Sequence, residues 1–274
     1  MLVKQMSASA QQRQQKVLHE VFARRSVSVV DLAQVVDASE ATIRRDLKSL
    51  ADEGQLDLVY GGATIRRTSD YSFRSKQQRN AQAKRTIGQL AADLVPDNDQ
   101  VFLDSGTTCF EMVPFLKRKR GLSIIANSAR LAVELDTPNN NVILIGGNYR
   151  PDRMDCIGPL AASTLEQLRG FVCFIGADGL SIDFGPAAAD VDSAHLNRLA
   201  VTNCRECILV ADHTKFAASS LFKIVDWGRV SRVVTDAMPD KHWMSFFKTN
   251  AISVALPAEL QAKQEDAKTA EVSS

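Results

Sequence analysis

The sequence has no uninterrupted apolar run near the roughly 20 residues that a helix needs to cross a bilayer, so no membrane-spanning helix is expected. The opening stretch MLVKQMSASAQQRQQK lacks an apolar core, so a secretory leader is not expected either. The five cysteines are an odd number without framework spacing, which fits reduced thiols in a cytoplasmic protein. Cys204 and Cys207 form a C-x-x-C pair. A zinc or redox role would need a second pair, a nearby His or an exposed helix start. The pair instead falls where a helix ends and the apolar CILVA begins, so both read as small buried side chains, and no metal or cofactor is expected. There is also no internal repeat and no excess of charge of one sign. At a net charge of +1, any nucleic-acid surface has to come from local clustering.

What is present is the balance of a globular protein: 274 residues, 45% hydrophobic and 24% charged, enough for one large or two ordinary domains. The rhythm changes along the chain. Residues 11–67 read as short helices and a hairpin, 68–84 as a polar, cation-rich linker, 85–257 as alternating strands and helices, and 258–274 as a polar tail.

In the first part, Val17, Leu18, Val21 and Phe22 stand at helical spacing. Ser28 is placed to cap a second helix, VVDLAQVV, and Asp37-Ala38 makes a tight break. Ser39 caps a third helix, EATIRRDLKSLADE, with Gly54 as its stop. Ile43, Leu47 and Leu50 recur at i, i+4, i+7 and face a core. Arg45 and Lys48 then project from another face, flanked by Thr42 and Arg44. A tight turn followed by a helix bearing cations and small polar groups is a helix-turn-helix, suited to phosphates and base edges. After it, Leu56, Leu58 and Tyr60 alternate before Gly61-Gly62, and Ala63 to Ile65 can return as a partner strand. This is the wing of a winged helix, with Arg66 and Arg67 beside the DNA backbone. The DNA-binding set is Ser39, Thr42, Arg44, Arg45, Lys48, Tyr60, Gly61 and Gly62.

In the second part, VFL, SIIA, VILI, FVCFIG, CILVA, RVVT and ISVAL read as strands, with helix-like segments between most of them. That pattern gives a mainly parallel sheet covered on both faces, whose ligands bind at the carboxyl ends of the strands. Asp104-Ser105-Gly106-Thr107-Thr108 follows the first run and suits an oxyanion, although Pro114 shortens the helix CFEMVPFL behind it and no Gly-Lys-Ser/Thr of a P-loop is present. Asn127 and Ser128, Gly146 and Gly147, Arg150, Asp178 and Gly179, and Lys215 follow other runs; Asp190 ends GPAAAD. A ligand with phosphate at one end and hydroxyls at the other needs such a mixture of cations, N–H donors and carboxylates. Lys117 to Arg120, KRKR, reads as a solvated loop.

The segment SVVDLAQVVDASEATIRRDLKSLADEGQLDLVYGGA, with its T-I-R-R-D-L core and Y-G-G-A wing, resembles the DeoR family of bacterial transcription regulators. DSGTT, the Asn127 region, Gly146-Gly147, GADG and the D-x-x-K from Asp212 to Lys215 extend the resemblance over nearly the whole chain. It implies an N-terminal winged helix that reads operator DNA. It also implies a C-terminal α/β domain, similar to sugar-phosphate isomerases and CoA transferases, that senses a phosphorylated sugar or related metabolite. A homodimer or homotetramer is expected, because paired recognition helices read half-sites one helical turn apart. GPAAAD stands where related domains often carry Thr, and the loss of those hydroxyls points to a different hydroxyl pattern in the effector; His213-Thr214 stands where Ser-Ser is common, and His213 reads as a surface or packed side chain.

Two other readings remain open at this point. One is an isomerase-like sugar-phosphate enzyme carrying a DNA-binding module, with Lys215 and Asp178 as acid–base groups. The other is a first domain that binds protein, its cations merely solvated.

Overall fold

The computed structural model describes residues 13–260, apart from Gln15, His19, Phe22, Ala23, Arg25, 53–55 and 65–69. Expectations for Phe22, Gly54, Ile65, Arg66 and Arg67 therefore lie outside the described residues, as do those for residues 1–12 and 261–274. By its internal contacts the chain divides into two units, Met1–Ser72 and Phe73–Ser274.

In the first unit, helical residues between 13 and 24 form α1. There follow β1 (Ser26–Ser28), α2 (Val29–Val35), α3 (Glu40–Asp52), β2 (Asp57–Val59) and β3 (Gly62–Thr64). Ser28 caps α2 by accepting from the Asp31 N–H at 3.1 Å, and Ser39 does the same for the Thr42 N–H of α3 at 3.3 Å. Between the two helices Asp37 takes a left-handed φ of 51°, which makes the turn tight. Val17, Val21, Leu32, Ile43, Leu47, Leu50 and Leu56 fill the core. Asp46 is buried and pairs with Arg13 at 2.6 Å, so the Asp of TIRRDL ties α3 to α1.

The hairpin differs from expectation in two details. Val59 pairs with Gly62, so the turn is centred on Tyr60-Gly61 rather than Gly61-Gly62, and the return strand is Gly62–Thr64. A third strand, β1, pairs with β3 and gives the order β1-β3-β2. Both glycines have a physical reason. Gly61 adopts φ 74°, and a Cβ on Gly62 would lie 2.2 Å from the Val27 carbonyl oxygen across the β1–β3 pair.

The second unit continues with α4 (Asp70–Gln78), which begins just before the boundary, then α5 (Ala81–Asp93), β4 (Gln100–Leu103), α6 (Thr107–Phe110), α7 (Val113–Leu116), β5 (Ser123–Ala126), α8 (Ala129–Glu134) and β6 (Asn141–Leu144). Next come β7 (Asn148–Arg150), β8 (Asp155–Ile157), α9 (Pro159–Glu166), β9 (Val172–Ile175), β10 (Gly179–Ser181), β11 (Gly185–Ala188) and α10 (Val191–Asn203). The unit ends with β12 (Glu206–Val210), β13 (Phe222–Lys223), β14 (Arg232–Val234), α11 (Lys241–Thr249) and β15 (Ser253–Ala255).

Each of the seven apolar runs becomes a strand of one seven-stranded sheet, order β15-β14-β12-β9-β4-β5-β6, and every pairing in it is parallel. Alternate residues cover its two faces. Phe102, Cys173 and Leu209 pack with Leu165 of α9, Leu196 of α10 and Trp243 and Phe247 of α11. Val101, Leu103, Phe174 and Ile208 pack with Ile87 of α5, Leu116 of α7 and Leu131 of α8. Pro114 sits in the first turn of α7, where its missing N–H costs nothing, and separates it from α6. Cys207 is buried in β12 and Cys204 is half-buried at the end of α10; both are free thiols. Two small antiparallel sheets, β7-β8 and β10-β11-β13, had no counterpart in the sequence pattern.

Gly62→Ala is expected to destabilise the first unit by about 2–3 kcal/mol, the order of an overpacked buried site. Gly61→Ala costs about 1–2 kcal/mol for its left-handed backbone. Denaturant melts of both variants check the order.

Candidate functional site

The cationic face of α3 is open. Arg44, Arg45 and Lys48 are exposed, while Ile43, Leu47 and Leu50 of the same helix are buried. Arg44 pairs with Glu40 one turn earlier at 2.7 Å, which holds its guanidinium along the helix. Thr42 is half-buried and its hydroxyl bonds that of Ser39 at 2.9 Å. Tyr60 is fully exposed at the wing turn, beside Gly61, whose carbonyl accepts from the Val29 N–H at 2.8 Å. Gly62 is buried beneath it. This face has the charge and shape for phosphates, with Arg45 and Lys48 its exposed cations outside the Arg44 pair.

In the second unit the parallel sheet delivers every strand end to one edge. β12, β9, β4 and β5 are neighbours, so Asp212, Asp178, Asp104 and Asn127 follow adjacent strands. Their roles differ. Asp104 is buried and accepts the Gly176 N–H at 3.1 Å. A Cβ on Gly106 would lie 2.8 Å from its carboxylate, which explains the glycine of DSGTT. Burial raises the Asp104 pKa, against the pull of Asn197 and the Gly176 N–H. Ser105 and Gly106 are half-exposed, whereas Thr107 and Thr108 are buried. α6 is only four residues long, so its dipole is short and an anion here needs side-chain cations as well.

Asn127 is buried and donates to the Cys156 carbonyl at 3.0 Å, and Ser128 caps α8 through the Leu131 N–H at 3.3 Å. Both therefore shape the edge from within. Gly146 is exposed and Gly147 half-exposed after β6. Gly179 is buried; a Cβ there would lie 2.5 Å from the Ala218 carbonyl oxygen. Arg150 grips Asp155 with two bonds, 2.8 and 2.7 Å, and Asp190 with a third at 2.9 Å. Asp190 also caps α10 through the Ser193 N–H at 2.8 Å. Burial opposes the charge on Asp190, but Ser193, Arg150 and Arg153 outweigh it and hold its carboxyl far below the usual range. Arg150 and Asp190 thus meet at the edge as a neutralised network rather than as a bare cation and a bare anion.

Asp178 presents its carboxylate more openly. It accepts the Ala189 N–H at 2.9 Å and the amine of Lys76 at 2.9 Å. Burial works to raise its pKa, but Lys76, the Ala189 N–H and Lys215 outweigh it and keep the value below the usual carboxylate range. Lys215 is half-buried in the short 3₁₀ turn after β12, which Asp212 caps through the Thr214 N–H at 3.1 Å. His213 is exposed and its Nδ1 meets Asp236 at 2.7 Å.

The sequence did not disclose the segment that lies over this edge. Lys76, Asn80 and Lys84 read as linker residues. In the structure Lys76 reaches Asp178, and the Asn80 amide donates to Asp212 at 3.1 Å. Lys84 is 4% exposed, and its amine donates to the carbonyls of Lys76 and, at 2.7 Å, Arg79. Burial pushes the Lys84 amine down to about 8, with Asp212 pulling upward and Lys215 adding to the depression. Asp155, the buried partner of Arg150, was also missed; nothing in DCI marks it as more than a strand residue.

With this geometry established, comparison with known proteins defines the class. The profile of the DeoR-like helix-turn-helix domain matches residues 13–69, and that of the DeoR C terminal sensor domain matches residues 79–237. The chain belongs to the DeoR family of transcriptional regulators. It is similar to the HTH-type transcriptional regulator GolR of Listeria innocua, 28% identical over 89% of this chain and 98% of that protein. It is 31% identical to the HTH-type transcriptional repressor CsqR of Escherichia coli, over 90% of this chain and 95% of that one. Among solved structures, ribose 5 phosphate isomerase A from Neisseria gonorrhoeae is similar at a TM-score of 0.37 and 16% identity, over 50% of this chain and 53% of that one.

The Lys84 shift predicts a pH dependence. Its folded value of about 8 lies below the 10.5 of the unfolded chain, so between those values the unfolded state binds more protons and stability rises with pH. The gain is ~3 kcal/mol at most, fully developed above the unfolded value, and the full penalty applies below pH 8. Denaturant melts of wild type and Lys84→Met from pH 7 to 11 check it, since the variant lacks this rise.

Proposed function

We propose that the protein is a repressor of a carbohydrate operon that grips double-stranded operator DNA through α3 and the wing, as a homodimer or homotetramer. A phosphorylated sugar bound at the sheet's carboxyl edge controls it. The observation that carries this reading is that Asp178, with Lys76 at 2.9 Å, and the Lys215 turn capped by Asp212 stand at the same strand edge as the DSGTT loop. Lys215 supplies charge for phosphate at that edge, with the half-exposed Ser105–Gly106 backbone following β4. Asp178, held ionised, accepts from sugar hydroxyls. CsqR, a named repressor, supports the sign of regulation.

The same electrostatics favour sensing over catalysis. An efficient general base has a pKa near the working pH, whereas Asp178 is held below the ordinary carboxylate range. A carboxylate tuned that way suits binding better than proton abstraction.

Titration calorimetry of the full chain against hexose and pentose phosphates tests the site. Saturable binding without turnover is expected. Asp178→Asn should weaken it by about 10- to 100-fold, the worth of charge-assisted hydrogen bonds. Isomerisation that depends on Asp178 or Lys215 would favour the enzyme instead. For the DNA face, Arg45→Ala with Lys48→Ala should reduce the slope of log affinity against log salt by about two, one per lost phosphate contact. An unchanged slope would show those cations to be merely solvated.

A further inference from the structure

Residues 73–84 lie on the strand edge through two kinds of contact. The first kind anchors the segment without using Asp178 or Asp212. Phe73 is buried edge-on to Phe110 at 5.3 Å, under the Arg130 guanidinium at 4.3 Å. The Gln77 amide donates to Glu111 at 3.0 Å, and Lys84 holds the carbonyls at the end of α4. The second kind is made with carboxylates at the strand ends, of which Asp178 is the one assigned above to the effector. Lys76 pairs with Asp178, and Asn80 bonds Asp212.

The Lys76–Asp178 contact is built to exchange. The side chains of Lys76 and Asp178 are 46% and 30% exposed, so water screens the pair and its net worth is small. A polyol hydroxyl that donates to Asp178 restores the same hydrogen bond. The segment also has a joint. α4 ends at Gln78, α5 starts at Ala81, and Asn80 between them takes a left-handed φ of 54°. Upstream, α4 runs through the boundary at Ser72 into the chain of the DNA-binding unit.

We propose that Lys76 competes with the effector for Asp178 while Asn80, bonded to buried Asp212, holds the joint closed, so that effector binding loosens the end of α4 at the Asn80 joint, lets α4 pivot on its Phe73 anchor and transmits occupancy along the chain to the DNA-binding unit. The inference rests on the effector site proposed above. It makes the connecting segment a part of the site rather than a tether. It also supplies what any allosteric ligand needs: one arrangement of the segment to which it binds better than to the other.

The test uses the full chain, a panel of hexose and pentose phosphates, and two variants, Lys76→Met and Lys76→Met with Asn80→Gly. Glycine keeps the left-handed backbone while removing the amide. Competition predicts that the first variant binds the sugar phosphate about threefold tighter and the second about tenfold tighter than wild type, as loss of one and two weak contacts requires. Hydrogen exchange at residues 76–84 of the wild type should quicken when the sugar phosphate is added. Equal or weaker binding by the variants overturns the competition while leaving the site itself intact. If wild type and variants alike show no saturable binding, the effector site falls and the inference with it.

Discussion

A wholly parallel sheet imposes one constraint that organises the second unit. Its strands are linked by crossovers, so both faces must be covered and every strand end opens on the same edge. Here the covering is done by α9, α10 and α11 on one face and by α5, α7 and α8 on the other. The chemistry is thereby confined to the loops after β12, β9, β4 and β5, where Asp212, Asp178, Asp104 and Asn127 stand in register order. Glycine is required where backbone or carboxylate comes close, as at Gly106 beside Asp104 and Gly179 beside Ala218.

The first unit solves a different problem with one helix. Ile43, Leu47 and Leu50 anchor α3, and the buried Asp46–Arg13 pair fixes it to α1. The opposite side is left free to carry Arg44, Arg45 and Lys48 into solvent. Packing on one face thus makes the presentation of charge on the other rigid, which a groove-reading helix needs. The segment that follows in the chain commits two of its lysines to contacts within the second unit. Lys84 bears the cost of burial to hold the end of α4, and Lys76 turns to Asp178.

Much of this was legible in the sequence because burial on two faces writes a plain signal. The seven apolar runs became the seven strands, and the polar residues after them came to one edge because parallel strands allow nothing else. The caps Ser28 and Ser39 were readable because a cap is a local interaction. The docking of Lys76, Asn80 and Lys84 was not, since a polar stretch has no periodicity that reveals what it lies against. Arg150 shows the same limit. Its charge was visible, but its neutralisation by Asp155 and Asp190 depends on strands β7 and β8, which at three residues each are too short to show a period in the sequence. The turn at Tyr60-Gly61 was misplaced by one residue because Gly62 looked like a turn glycine; its real role is the close approach of β1.

The proposed function requires that an effector bound at the sheet edge and operator DNA bound at α3 be thermodynamically linked. Linkage is reciprocal, so one coupling factor must appear from both directions. The most direct measurement is operator affinity at rising sugar phosphate, paired with sugar-phosphate affinity at saturating operator. The account predicts that each ligand weakens the other by the same factor, of about 5- to 150-fold. Operator affinity that stays constant while the sugar phosphate saturates its site would contradict it.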